Sequence, residues 1–310
     1  MEVIKDMIDN VLNIVNIEGK IYSTSKLEKV VYNEKNTIRG EVSIATGEGD
    51  SEVSTVNIFI SDTTKAGKEN KAYAGWERLL GAKTVEQDGL AKADSARLSG
   101  EFSENRYFRE ENGELKLQTY TQIRGSFAHI DPKARPVASF KVDGLVKSFE
   151  KRESTTETSA TELPSYELII DVFNSFYKMF SPVRLVVKDP NAVKYISGAY
   201  VPGSYVTVNG SIQSTVVARD TGEDQELGFG EETVQSSYTR TEMVVVGGTA
   251  PREVSMNEAE MANAVATRNE QIAGEKAKRA EKLASGGSKV VSGSVSVKDN
   301  KGTETEEFGF

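Results

Sequence analysis

Apolar and polar residues alternate over most of the chain, in short segments separated by glycine, asparagine and proline. Residues 201–212 show the pattern most clearly, because alternation follows a Pro-Gly turn, breaks at Asn209-Gly210 and resumes at Ile212. Period-two alternation with a bend at glycine is typical of a half-buried β-strand. We therefore expect a mainly β protein.

The same order of segments occurs twice along the chain. Each copy predicts three strands, a short helical segment and two further strands. The corresponding segments are 17–23 and 142–148, 38–45 and 166–172, 53–62 and 182–189, 72–80 and 191–196, 96–102 and 201–212, and 120–125 and 238–247. A repeat of this length indicates a duplicated architecture, so the sequence predicts two tandem five-stranded β units, at 16–131 and 137–250.

Segments outside the repeat follow other patterns. Residues 1–15 carry a helical stripe of apolar residues, which predicts an N-terminal amphipathic helix on the first unit or on another protomer. Residues 132–136 form a stiff linker, because its prolines fix their own φ angles. A capping box at Ser255 to Glu258 opens an alanine-rich helix over 255–284. Residues 285–310 are predicted to be a flexible tail with an acidic tip.

Composition narrows the functions that fit. The 310 residues include no cysteine and a single histidine, His129, which excludes thiol chemistry and argues against a histidine-based metal site or catalytic triad. No apolar run approaches the ~18 residues that cross a bilayer, and the N-terminus lacks a signal segment, so we expect a cytoplasmic protein with no membrane partner. The carboxylates lie mainly in polar loops, so we expect no enzyme activity, no cofactor and no metal.

Strand order and the side chains near the strands indicate binding. A helix between the third and fourth strands of a five-stranded barrel is the order of the oligonucleotide-binding (OB) fold, whose members stack bases on aromatic rings beside a basic groove. Aromatic and basic residues recur together in both units. The candidate nucleic-acid-binding residues are Tyr22, Lys26, Tyr32, Lys65, Lys68, Arg97, Arg106, Tyr107, Phe108, Arg109, Tyr120, Arg124, Lys147, Phe149, Lys151, Arg152, Tyr177, Lys178, Tyr238 and Arg240.

The tandem layout, the first strand at 142–148, the strand from Gly203 to Gly210 and the acidic, Phe-terminated end resemble bacteriophage single-stranded DNA-binding proteins built of OB folds. The resemblance covers residues 16–248 by pattern and 304–310 by tail chemistry. It implies a tail that docks replication and repair proteins. The matching tail residues are Glu304, Glu306, Glu307, Phe308 and Phe310. The acidic run is short and interrupted, and a glycine precedes the last Phe where bacterial tails commonly carry proline.

These observations leave two hypotheses from different classes. The first is a sequence-tolerant binder of single-stranded DNA that protects and organises it in phage DNA replication, recombination and repair, in the bacterial host cytoplasm. Its net charge of -9 means that local lysines and arginines must drive binding. RNA is also compatible with this chemistry, and so is a homo-oligomer. The alternative is a phage structural or assembly protein whose β units make protein contacts only, with scattered rather than clustered aromatic and basic residues.

Overall fold

Strands predominate in the computed structural model, which describes residues 11–47, 52–64, 66–111, 113–152, 164–174, 179–219, 236–252 and 258–284. The strands are β1 (Asn13–Ser23), β2 (Glu28–Tyr32), β3 (Lys35–Ala45), β4 (Val53–Ser61), β5 (Ser95–Glu111), β6 (Glu114–Ile130), β7 (Val137–Lys151), β8 (Tyr166–Asn174), β9 (Met179–Val187), β10 (Tyr205–Arg219) and β11 (Ser236–Gly248). The described helices are α1 (Tyr73–Leu79), α2 (Val85–Asp88), α3 (Pro190–Ala199) and α4 (Glu258–Ala284). The predicted mainly β class is confirmed.

The first unit, β1–β6, closes on itself. β1 pairs antiparallel with both β3 and β5, β3 pairs with β4, and β5 pairs with β6. A parallel bridge between Asn57 and Arg124 joins β4 to β6 and completes the ring. With α1 and α2 between β4 and β5, this is the strand order of an OB fold. The additional strand β2 pairs with β3 across a tight turn at Asn33 and Glu34, both of which have positive φ.

The second unit, β7–β11, repeats this ring. β7 pairs antiparallel with β8 and β10, β8 with β9, and β10 with β11. A parallel bridge between Val186 and Val244 joins β9 to β11, and α3 lies between β9 and β10 along the chain. Asp189 caps α3 by accepting a hydrogen bond of 2.8 Å from the backbone N–H of Ala192, and Pro190 begins the helix. The strand order is therefore the one that the repeat predicts.

Equivalent glycines produce a bulge in each unit. The pairing register shifts between Ser99 and Gly100 in β5, and between Asn209 and Gly210 in β10. A Cβ atom at Gly100 would lie 2.3 Å from a backbone carbonyl oxygen of β6, and one at Gly210 would lie 2.0 Å from a carbonyl oxygen of β11. Only glycine allows strands to approach this closely, so the break at Asn209-Gly210 marks a bend of the barrel wall.

The two units share one sheet and one core. β1 pairs antiparallel with β7, from Asn13 opposite Val142 to Glu18 opposite Val137, which joins all strands into an 11-stranded sheet. The hydrophobic core cluster contains residues of both units. Phe102 of the first unit and Phe140 of the second meet edge to face, with ring centroids 5.4 Å apart. Burial therefore continues across the junction.

The two ends of the chain differ from the rest in what the structure describes. Part of the predicted N-terminal helix is contradicted, and much of both ends lies outside the described residues. The N-terminal helix predicted over 1–15 is wrong for Asn13–Val15, which lie in β1 because their backbone groups pair with β5 and β7. Residues 1–10 lie outside the described residues, as do 253–257 and the predicted tail, 285–310. α4 spans Glu258–Ala284. Among the described helices, none has the length and apolar character that a membrane span requires.

Candidate nucleic-acid interface

The outer surface of the first unit carries side chains that alternate with those of the core. In β4, Val56 and Ile58 are buried inside the barrel, so Asn57 and Phe59 point outward. We call the outer surface of β2, β3, β4, β6 and β5, in this spatial order, the open face.

Aromatic rings lie on the open face in two pairs. Tyr32 on β2 meets Phe59 on β4 edge to face, with ring centroids 5.4 Å apart. Tyr107 on β5 and Tyr120 on β6 are 6.3 Å apart between centroids. Phe59, Tyr107 and Tyr120 are 36%, 44% and 48% exposed, respectively. Partly exposed rings on a sheet are the platforms on which bases of a single strand stack.

Glu41 on β3 connects the two aromatic pairs. Burial raises the pKa of Tyr120 above its ordinary value, and the nearby negative charge of Glu41 raises it further. In the pairing of β3 with β4, Glu41 lies opposite Asn57, and Arg39 lies opposite Phe59 two residues further along, so these side chains share one surface. Tyr32, Phe59 and Tyr120 therefore belong to one surface.

Basic side chains on the open face lie beside carboxylates. Lys26 contacts Glu41 at 2.9 Å, and Arg39 contacts Glu28 at 2.6 Å. These pairs are exposed, and exposed ion pairs are worth only ~0–1 kcal/mol, so a phosphate can replace the carboxylate at small cost.

Two further arginines belong to this surface. Arg124 lies opposite Glu101 across β5 and β6; burial raises the pKa of Glu101, and the charge of Arg124 opposes that rise. Arg109 follows Tyr107 by two residues in β5 and therefore lies on the same side of the strand.

Arg106 and Phe108, both predicted to bind nucleic acid, lie on the opposite surface of the β5–β6 hairpin. The guanidinium of Arg106 donates hydrogen bonds to Gln271 at 3.1 Å and to Glu275 at 2.9 Å on α4, and the side chain is 9% exposed. Phe108 follows two residues later and shares this side of β5. The structure therefore separates them from Tyr107 and Arg109, because successive residues of a strand point to opposite faces.

Other predicted residues are held elsewhere. Arg97 contacts Asp131 at 2.8 Å and Glu18 at 3.4 Å, near the linker between the units. In the second unit, Phe149 stacks on Tyr166 with centroids 5.3 Å apart. Arg152 contacts Glu242 at 2.7 Å, and Lys147 lies 4.0 Å from Asp171. Tyr22 lies in β1, Lys68 after β4 and Lys151 at the end of β7.

The rest of the predicted set falls outside the described part of the chain. Lys65, Tyr177, Lys178 and the tail residues Glu304, Glu306, Glu307, Phe308 and Phe310 are in undescribed segments. Tyr238 and Arg240 lie in β11, but their side chains are among those not described. Their roles stay predictions.

The equivalent surface of the second unit is covered. We call the outer surface of β8 and β9 the covered face, because α4 and the β5–β6 hairpin pack on β9. Phe180 and Val186 are only 6% and 7% exposed, although neither belongs to the core cluster inside the barrel. Burial raises the pKa of Asp171 on β8, while the charges of Lys147 and of Arg268 on α4 lower it. The two units are therefore not equivalent at their surfaces.

Sequence reasoning missed Arg39 and Phe59. The signal was present, because strict alternation over Val53–Ser61 assigns Phe59 to the polar side of β4, where a large aromatic side chain is unusual. Arg39 is recognisable only from its pairing opposite Phe59.

These features define a mainly β protein with two joined units of OB-type strand order, one of which presents an open face of aromatic and basic residues. The chain matches the YorF family over residues 12–278 and belongs to that family. A crystal structure of the wild-type single-stranded DNA binding protein from Thermus aquaticus is similar, with a TM-score of 0.46, 11% sequence identity, and coverage of 80% of this chain and 96% of that chain. No curated protein matches the sequence.

Within the described residues, no group of three or more His, Asp or Glu side chains is arranged to hold a metal ion. The chemistry that the open face offers is ring stacking together with ion pairing to an anionic polymer.

Proposed function

We propose that the chain binds single-stranded DNA, with little sequence preference, across the open face of the first unit. The observation that carries this proposal is the presence, on one surface, of two partly exposed aromatic pairs together with Lys26, Arg39 and Arg124. Stacking on each base contributes ~1–3 kcal/mol and tolerates any base, because every base has a π face.

Phosphate contacts supply the second part of the affinity. The overall charge of -9 repels DNA, so binding depends on local cations that exchange their carboxylate partners for phosphates. Each such exchange releases counterions from the strand, which makes the affinity fall as salt rises. A duplex hides its π faces in the base stack, so it cannot use the aromatic pairs.

We further propose that the protein protects and organises single-stranded DNA during phage DNA replication and recombination, in the cytoplasm of the bacterial host. The acidic tail of residues 304–310 would recruit replication or recombination proteins through its two phenylalanines. This part of the proposal is supported by the sequence pattern alone. Deletion of 304–310 should leave the DNA affinity equal or slightly higher, because the deleted segment is acidic, and should abolish recovery of these partners in pull-downs.

Fluorescence anisotropy tests DNA binding directly. The probe is a labelled oligonucleotide of about 30 nucleotides, longer than the ~4–16 nucleotides that one OB fold occupies. We expect tight binding of the single strand at about 50 mM salt, clearly weaker binding at about 200 mM, and much weaker binding of the duplex. Equal affinity for the duplex would indicate a nonspecific cationic surface. A lack of affinity for either form would favour a structural or assembly role.

A further inference from the structure

The covered face of the second unit has a different chemistry from the open face. The parallel bridge that closes each barrel pairs Asn57 with Arg124 in the first unit but Val186 with Val244 in the second. Val186 and Val244 are 7% and 8% exposed and lie outside the core cluster, which contains their neighbours Leu185 and Val245. The second unit thus has apolar side chains where the first has polar and basic ones. Such a surface suits packing against protein rather than contact with phosphates.

α4 packs against the second unit at β9. Ala264 of α4 is 1% exposed, so this side of the helix is buried. The remainder of α4 reaches the β5–β6 hairpin of the first unit through polar side chains. α4 therefore connects the covered face of one unit to the hairpin of the other.

Two ion pairs join α4 to β5, and we call them the clamp. Arg268 donates two hydrogen bonds to the carboxylate of Glu104, at 3.2 and 2.6 Å, and Glu275 accepts one from Arg106 at 2.9 Å. The side chains of Glu104 and Arg106 are only 1% and 9% exposed. Water and salt therefore screen the clamp much less than a surface pair.

The clamp acts on the strand that presents the aromatic pair. Glu104 and Arg106 point toward α4, so Asn105 and Tyr107 point to the open face. Asn105 donates a hydrogen bond of 2.6 Å to the hydroxyl oxygen of Tyr120. Fixing Glu104 and Arg106 on α4 consequently fixes the position and tilt of the rings on the other side of the hairpin.

We infer that α4 is a positioning element for the DNA interface. It packs on β9 of the covered face, and its clamp holds the β5–β6 hairpin so that Tyr107 and Tyr120 are presented to the strand. This inference rests on the proposed function of the open face. It also means that each chain offers one such face rather than two equivalent faces.

The test is a charge exchange on α4 in the full chain. The variant R268E/E275R keeps the net charge of the protein but places like charges opposite Glu104 and Arg106. We expect the affinity for the single-stranded oligonucleotide to fall about tenfold, the order of coupling between contacting residues. Hydrogen exchange of the backbone amides of residues 103–111 and 114–122 should become faster without DNA.

Two further variants control the charge exchange. The four-residue variant R268E/E275R/E104R/R106E restores opposite charges across the contact, and we expect it to recover most of the affinity and of the amide protection. The variant K278E/E281K exchanges charges at exposed positions of the same helix. It should behave like the unaltered protein. An equal loss of affinity in K278E/E281K would overturn the inference, as would a failure of the four-residue variant to recover.

Failure of this inference can be distinguished from failure of the proposed function. If R268E/E275R speeds amide exchange in the hairpin but binds DNA normally, while Tyr107→Ala binds weakly, α4 does not position the interface and the proposed function stands. If Tyr107→Ala binds normally, both proposals fail. Should the charge exchange prevent folding, Glu275→Gln replaces it, because Glu275 is 43% exposed. Unchanged affinity in that folded variant, with faster amide exchange in the hairpin, would also overturn the inference.

Discussion

Tyr107 and Phe108 are neighbours in sequence but belong to different surfaces. Tyr107 is 44% exposed on the open face, whereas Phe108 lies on the side of β5 that faces α4. We expect Tyr107→Ala to lose about 1–3 kcal/mol of binding free energy, the value of one stacked base, with an unchanged melting temperature. Phe108→Ala should instead lower the melting temperature. The loss of unfolding free energy should be smaller than the ~3–5 kcal/mol of a completely buried phenylalanine.

Anisotropy titrations and thermal melts of the two variants check this assignment, and each variant serves as the control for the other. The opposite result, with weak binding by Phe108→Ala and a lower melting temperature for Tyr107→Ala, would mean that the hairpin presents its other surface to DNA.

Glu41 places a negative charge between the two aromatic pairs, and it holds Lys26 at 2.9 Å. Glu41→Gln removes repulsion of the phosphates and releases Lys26 for contact with them. We expect single-stranded DNA to bind about 2- to 5-fold more tightly, in keeping with the ~0.2–1 kcal/mol of an exposed ion pair. The measurement is an anisotropy titration at low salt.

Glu77→Gln is the matched control for Glu41→Gln. It removes the same charge from another exposed pair, because Glu77 on α1 contacts Lys29 at 2.6 Å. A similar gain in both variants would show that the effect comes from net charge and not from the open face.

At the level of single residues, the sequence predicted which residue types are candidates for binding but not which surface each occupies. Residues 106–109 formed one candidate cluster because they are contiguous. Alternation splits this cluster, and what the side of Arg106 contacts depends on α4, which is more than a hundred residues away along the chain. No local pattern contains that information.

At the level of elements, the glycine bulges explain why the repeat was recognisable at low identity. Gly210 is packed so closely that an added Cβ would lie 2.0 Å from the carbonyl oxygen of Val244 and 2.6 Å from the ring of Phe140. Gly210→Ala should therefore destabilise the fold by about 1–3 kcal/mol, the cost of overpacking a well-packed site. Urea denaturation measures the change.

Gly198→Ala is the control for that substitution. Gly198 lies in α3 with nothing within 4 Å of an added Cβ, and alanine is the better helix former. We expect this variant to gain about 0.5–1 kcal/mol of unfolding free energy. A loss at Gly198, or no loss at Gly210, would contradict the packing argument.

α4 shows what a pattern of residues cannot predict. Its helix was predictable from its capping box and alanine-rich composition, but neither feature indicates what the helix contacts. Two ion pairs, through Arg268 and Glu275, join it to β5. Charged residues on a helix ordinarily face solvent, so sequence alone gives no reason to expect partners on β5.

At the level of the whole molecule, the sequence predicts two tandem units, and the structure joins these units in one sheet and one core. Residues 132–136 lie between β6 and β7, but β1 pairs with β7 and the core runs through both units. The sequence could not predict this junction. The alternating pattern of each first strand does not indicate that the two first strands pair with each other. Independent folding of the predicted domains is therefore a separate question, and the shared sheet argues against it.

The tryptophan content of the chain allows that question to be tested. Trp76, the single tryptophan, is fully buried in the first unit, so its fluorescence reports unfolding of that unit, whereas far-ultraviolet circular dichroism reports both. Because the units share β-pairing and core, we expect both signals to show one coincident urea transition. Leu168→Ala, a fully buried position in β8 of the second unit, should lower the midpoint seen by Trp76 by the equivalent of about 2–5 kcal/mol.

Leu98→Ala is the reference variant, because Leu98 is buried in β5 of the first unit and must shift the Trp76 signal in any case. If Leu168→Ala shifts the Trp76 midpoint as Leu98→Ala does, destabilisation passes between the units through the β1–β7 pairing and the core. If Leu168→Ala leaves the midpoint of the Trp76 signal unchanged and the dichroism shows a second transition, the units unfold independently. The junction would then be a contact between two self-sufficient barrels, and the open face would need only the first of them.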